Sequence, residues 1–247
     1  MKRFLFVLLL GTSTTFGQVG DTTAIAPFPP KSNLKSGFLA EFGFSSAVTS
    51  LPAIRSFFRE NRIKADSRVS SFYSSGFGYR HKRLKIMFLL SFGIDPEVYY
   101  PSDSSLVARR QYQSANNLSL GYAIVNSRNR RVYLNAGIGG IRYEYTIFRP
   151  TSRVVSFQNI LTQTPTGSIP SLVLTNGYWD INAEFSQPEK QSPFQFMFRI
   201  GYRRGWRPNA WASDAYQIVG GPADRISQFY GQAGIYYSLR FKKRRES

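Results

Sequence analysis

The stretch Phe194-Gln195-Phe196-Met197-Phe198-Arg199-Ile200-Gly201-Tyr202 decides how the chain reads. Phe194, Phe196, Phe198, Ile200 and Tyr202 fall on one side of an extended backbone. Gln195, Met197, Arg199, Gly201 and, one step on, Arg203 fall on the other. A period of two is the signature of a β-strand with two unlike faces.

The same alternation returns along the sequence. Phe38, Ala40, Phe42 and Phe44 oppose Leu39, Glu41, Gly43 and Ser45, and Val69, Tyr73, Phe77 and Tyr79 oppose Ser70, Phe72, Ser74, Gly76 and Gly78. Further segments center on Ile86–Ile94, Leu118–Ile124, Val132–Ile138, Trp179–Phe185 and Ala233–Phe241, which with the opening stretch makes eight. The non-apolar face is mostly Gly, Ser and Asn with an occasional single charge. A face turned to water would carry Lys and Glu. A narrow barrel interior needs small polar residues that leave room for a few large ones, such as Tyr133 and Tyr236. The apolar face then meets lipid, as in a transmembrane barrel.

The links sort by parity. Short ones lie around Arg80–Lys85, Asn126–Arg131 and Gln187–Pro193, and long ones around Thr49–Ser67, Asp95–Gln113, Ile147–Tyr178 and Arg204–Gln228. Outer-membrane barrels have short periplasmic turns and long external loops. The expected fold is therefore all-β, an eight-stranded antiparallel up-and-down transmembrane barrel over residues 37–241. Val154-Val155 and Leu172-Val173-Leu174 leave open an extra hairpin, hence ten strands, or an extension of the fifth and sixth strands above the membrane. No apolar run approaches the roughly 18 residues of a membrane-spanning helix.

The segment Gln232-Ala-Gly234-Ile-Tyr-Tyr237-Ser-Leu239-Arg-Phe241 has the spacing of the insertion signal on the last strand of such barrels. In this the chain resembles the small outer-membrane β-barrel family of OmpA-like transmembrane domains. Its overall character is similar to the outer membrane β-barrel proteins of the Bacteroidetes. The resemblance implies a Gram-negative outer-membrane location and recognition by the barrel-insertion machinery. The basic tail 242–247 departs from the family, which often ends on the aromatic.

The N-terminus reads as an address. Met1-Lys2-Arg3, the apolar Phe4–Leu10 and Thr15-Phe16-Gly17 make residues 1–17 a signal peptide. Residues 18–36, with Phe28-Pro29-Pro30, read as a disordered periplasmic leader.

The 247 residues carry 32 Lys and Arg against 14 Asp and Glu, a formal charge of +18, with a single His and no Cys. Thiolate chemistry and multi-histidine metal sites are excluded, and no cofactor is expected. Arg80, Lys82, Arg83, Lys85, Arg128, Arg130, Arg131 and Lys242–Arg245 crowd the short turns and the tail, beside an anionic inner leaflet or as simple strand boundaries. Arg55, Arg59, Arg62, Lys64, Arg109, Arg110, Arg204 and Arg207 are expected in the outer loops, with outer-membrane lipid and the phosphates of lipopolysaccharide as partners. An exported chain gives no reason to expect nucleic acid. Leu51, Ile54, Phe57 and Phe58 share a helical face, predicting a short amphipathic helix that caps the barrel mouth or lies on the membrane, or else an irregular loop over the rim.

Glu41, Asp180, Glu184, Arg199, Arg203 and Arg240 are expected inside the barrel, as a salt-bridge plug or a gate. A symmetric turn over Gln187–Pro193 places Asp180 opposite Arg199 and Glu184 opposite Gln195. The sole His, His81, falls in a short turn at the end opposite the long loops, away from where an outer-membrane lipid-modifying enzyme works. The leading function class is a non-enzymatic structural, binding or accessory membrane protein, with a secretion or envelope protein as partner. A small-solute channel, a soluble secreted β protein that binds acidic ligands, and a lipid-modifying enzyme are the alternatives, in that order.

Overall fold

The computed structural model describes residues 36–65, 67–94, 107–127, 130–148, 169–187, 193–213 and 217–239, with backbone alone at 111, 112, 169 and 170. The expected signal peptide 1–17, the expected leader 18–36 apart from Ser36, Val154-Val155, Arg128, Arg240 and the tail 242–247 lie outside these residues.

Eight long strands run in chain order: β1 Gly37–Ser50, β2 Val69–His81, β3 Leu84–Ile94, β4 Val107–Asn126, β5 Arg131–Phe148, β6 Ile169–Ser186, β7 Phe194–Gly205 and β8 Ser227–Leu239. Each is antiparallel to its sequence neighbors, and β8 returns to pair with β1, Phe38 opposite Leu239 and Ser50 opposite Ser227. The sheet is thus a closed ring. Closure leaves no unpaired edge, which is what a bilayer demands of a β-structure. Leu172, Val173 and Leu174 belong to β6, so the eight-strand alternative holds and the sixth strand is extended rather than a hairpin added.

The faces fall as the alternation predicts. Phe42, Phe77, Leu120, Ile138, Ile181, Phe196 and Phe229 are exposed on the outer wall. Tyr202 stacks between Trp179 and Phe229 toward one end. Phe38 against Tyr79 and Phe194 against Tyr237 form a second aromatic band toward the other. Phe229 and Tyr237 are eight positions apart on β8. At about 3.3 Å per residue and a strand tilt of about 40°, that is about 20 Å of height, close to the apolar band of an outer-membrane barrel.

The first short turn is tighter than the sequence suggests. Lys82 and Arg83 alone join β2 to β3, with Lys82 at φ +52°. At the opposite end β4 and β6 run into positions that the sequence assigns to long links, 107–113 and 169–178, and β5 enters its own link only at Ile147 and Phe148. The reason is visible at β4. A bulge between Arg110 and Tyr112 breaks the two-residue period and hides the continuation of the strand.

Candidate functional site: a filled lumen with a capped mouth

The first long link folds into helix α1, Pro52–Glu60. Pro52 is pre-set for a first helical turn. The residue before it, Leu51, has no side chain able to cap. A carboxylate from elsewhere does so: Asp224 accepts the backbone N–H of Ala53 at 2.8 Å and of Ile54 at 2.9 Å, and the Trp211 indole N–H at 2.9 Å. The helix ends in a Schellman turn, with Ile63 N donating to Phe58 O at 2.7 Å and Arg62 N to Arg59 O at 3.2 Å. Arg62 holds the left-handed position at φ +54°.

This geometry selects among the three expectations for the segment. Leu51, Ile54 and Phe58 are buried with Ile141, Tyr143, Tyr145, Ile147, Leu172, Leu174, Tyr178 and Trp211, the inward residues of the extended strands and the last loop. The helix caps the mouth from inside. Tyr145 meets Phe58 and Trp211 edge-on, at ring separations of 5.7 and 5.6 Å.

Below this apolar stopper the lumen is polar. Arg199 is its hub. Nη1 and Nη2 grip Glu41 as a fork at 3.1 and 3.0 Å, Nη2 reaches Glu184 at 2.8 Å, and Nη1 reaches Gln232 at 2.9 Å. Lys85 Nζ binds the other oxygen of Glu184 and the Tyr236 hydroxyl, and stands 4.2 Å over the Tyr133 ring. A tier above, Arg203 donates to Asp180 at 2.8 Å and to Gln228 at 3.2 Å, and Tyr230 and Asn182 donate to the same carboxylate. Gln228 continues to Thr49 and Tyr143, joining the charged tier to the stopper. Isolated buried charges are costly, and these are paired and hydrogen-bonded throughout.

Five of the six expected interior charges, Glu41, Asp180, Glu184, Arg199 and Arg203, are thus brought together. Arg240 lies outside the described residues. The expected pairing is corrected: Asp180 faces Arg203, and Glu184 faces Arg199. The β6–β7 link is not symmetric. Ser186 ends β6 opposite Met197, while β7 already starts at Phe194 and pairs there with β8. This register satisfies both carboxylates, whereas the expected one places Glu184 opposite a neutral Gln195.

Further corrections concern the basic residues. Arg80, Lys85 and Arg131, expected on the turns beside lipid, are buried at 3, 2 and 4 % exposure. Their strand parity signals it: Lys85 shares the inward face of Met87 and Leu89, and Arg131 that of Tyr133. Arg110, expected at lipopolysaccharide, is 1 % exposed and donates to Ser70 and to the carbonyls of Ser67 and Val69. The bulge after it turns it inward. Arg55 and Arg109 are half-buried, and Arg59, Arg62, Lys64, Arg204 and Arg207 are exposed at the loop end. His81 sits on the β2–β3 turn with Nδ1 3.0 Å from Ser36 Oγ, both exposed. Among the described residues no His, Asp and Glu cluster suited to a metal ion occurs.

No protein-family model matches the sequence, and no curated protein matches it. Solved structures do. Neisserial surface protein A (NspA) is similar over 83% of this chain and 100% of its own, at 12% identity and a TM-score of 0.50. Ail, the attachment invasion locus protein of Yersinia pestis, matches over 83% and 100% at 8% identity and a TM-score of 0.44. The outer membrane protein OprG of Pseudomonas aeruginosa matches over 85% and 99%, at 12% and 0.44. A closed ring of eight antiparallel strands, apolar outside and polar within, and the likeness to NspA give one result: the chain has the fold of the small eight-stranded outer-membrane β-barrel proteins.

Proposed function

We propose that this chain is a non-conducting, non-enzymatic protein of a Gram-negative outer membrane, and that it works through the surface of its loop end. The short turns face the periplasm and the long links face outward. The filled lumen carries this reading. The Arg199 and Arg203 tiers close the middle of the barrel and the α1–Trp211 stopper closes the mouth. Eight strands enclose little more than their own side chains to begin with. Exposed Arg59, Arg62, Lys64, Arg204 and Arg207 leave the loop end basic, suited to phosphate groups of lipopolysaccharide or to an acidic envelope partner. The Ser36–His81 pair stands exposed at the other end of the barrel, away from the loop surface.

Planar-bilayer recording on the refolded chain tests the reading. Insertion is verified first by a heat-dependent shift in gel mobility. The inserted protein is expected to give no unitary current steps. Regular steps would overturn the closed-lumen reading in favor of a small-solute channel.

A further inference from the structure

Two neighboring short turns carry cations that the lumen does not use. The β2–β3 turn exposes Lys82 and Arg83, and the β4–β5 turn exposes Arg130. The first turn is tied to the strand that leads into the second, since Ala123 N on β4 donates to the Arg83 carbonyl at 2.8 Å. The second is braced internally: Ser127 N and Oγ donate to the Arg130 carbonyl, each at 3.0 Å.

The wall beside them is apolar and open. Leu84, Ile86, Tyr122 and Ile124 are each about half exposed on the outer face of β3 and β4. Among the described residues, the acidic ones nearest this end, Glu41 and Glu184, are buried and engaged by Arg199 and Lys85. Among the described residues, no acidic side chain lies on either turn.

We propose that this rim binds anionic phospholipid of the periplasmic leaflet, with the phosphate on Lys82, Arg83 and Arg130 and the acyl chains along Leu84, Ile86, Tyr122 and Ile124. The proposal rests on the outer-membrane reading, which sets the turns at the periplasmic headgroups. Charge complementarity selects the headgroup, because guanidinium forks match phosphate oxygens and an anionic leaflet attracts Lys and Arg near its surface. The apolar wall selects a lipid over a soluble anion, which has no use for it.

The full chain is refolded into phosphatidylcholine vesicles carrying spin-labeled phosphatidylglycerol or spin-labeled phosphatidylcholine, and the motionally restricted fraction of each is compared. Phosphatidylglycerol is expected to be preferred by roughly twofold or more at low salt, falling toward parity in about 1 M salt, where the screening length is about 3 Å. The variant Lys82→Asn/Arg83→Gln/Arg130→Gln should lose the preference; Asn suits the positive φ at 82. Arg59→Gln/Arg62→Gln/Arg204→Gln/Arg207→Gln should keep it. A preference that survives the turn variant, follows the loop variant or is absent from the parent chain overturns the proposal. Heat-dependent mobility is recorded on every sample, so a failure of the barrel itself is seen separately.

Discussion

Glu184 stands directly opposite Arg199 in the β6–β7 ladder and accepts its Nη2 at 2.8 Å, at the center of a barrel whose wall is built for lipid. The same guanidinium forks Glu41 across the lumen. Arg199→Met would leave two buried carboxylates with Lys85 as their remaining cation in the cluster. Breaking a buried pair from one side costs about 3–5 kcal/mol. The urea midpoint of the chain refolded in vesicles is expected to fall accordingly, and adding Glu41→Gln and Glu184→Gln to the Met variant should recover part of the loss. A loss under about 1 kcal/mol, the scale of an exposed pair, would show that the hub is not a desolvated pair.

Asp224 does for α1 what a capping residue does locally, from more than 150 positions away in sequence. Asp224→Ala removes a helix cap worth about 0.5–2 kcal/mol and orphans a buried Trp211 N–H at about 1–3 kcal/mol. The stopper, not the barrel, should loosen. Tryptic cleavage at Arg55, Arg59 and Arg62 is expected to speed up by tenfold or more, since each 1.4 kcal/mol is a factor of ten. Heat-dependent gel mobility should stay as in the parent chain. Unchanged cleavage would mean that the apolar contacts of Ile54 and Phe58 hold the helix without the carboxylate.

The barrel was legible because alternation is local. Phe196 and Arg199 announce their faces from their neighbors alone, and eight such segments with links sorted by length leave little choice of fold. Which lumen charges meet was only half legible. The face of Glu184 follows from parity, but its partner follows from register, and register depends on where a turn actually closes. Lys85 was readable by the same parity and was obscured by its closeness to a basic turn. Arg110 was not readable at all. One extra residue at a bulge inverts its face, and nothing in Arg109-Arg110-Gln111-Tyr112 marks it. The role of Asp224 was equally hidden, because a cap supplied across loops leaves no trace at the helix it serves.

The Schellman turn at the end of α1 places Arg62 at φ +54°, a conformation that costs a side-chain-bearing residue about 1–2 kcal/mol. Arg62→Gly removes that cost, less the extra freedom glycine has when unfolded, for a net gain of about 0.5–1 kcal/mol. Hydrogen exchange at the Asn61, Arg62 and Ile63 amides, whose acceptors are Phe57, Arg59 and Phe58, should slow by a few-fold. Arg62→Pro, with φ fixed near −65° and no N–H of its own, should accelerate exchange at the Asn61 and Ile63 amides strongly. Equal exchange in the glycine variant would mean that the end of the helix opens by a route in which residue 62 stays left-handed.

Gly201 makes the last prediction, because its missing side chain is part of the Arg203 tier. A Cβ there would fall 2.6 Å from both the Tyr230 ring tip and its hydroxyl, and 2.6 Å from Asn182 Cβ. Tyr230 and Asn182 are two of the donors that satisfy Asp180, at 3.0 and 2.6 Å. Both are held by the wall, so neither swings away as a flexible chain end would. Gly201→Ala must therefore shift the ring and break its bond to Asp180. Overpacking costs about 1–3 kcal/mol, and a buried acceptor that loses a donor adds about 1 kcal/mol. Tyr230→Phe removes the hydroxyl but leaves the ring, so it should cost only the hydrogen bond. Combined with Gly201→Ala it should cost less than the sum of the two, as expected when two changes act on one contact. Urea midpoints of the two single variants and the double variant give the coupling directly. Strict additivity would mean that the added methyl is absorbed by movement of the β7 backbone rather than by Tyr230.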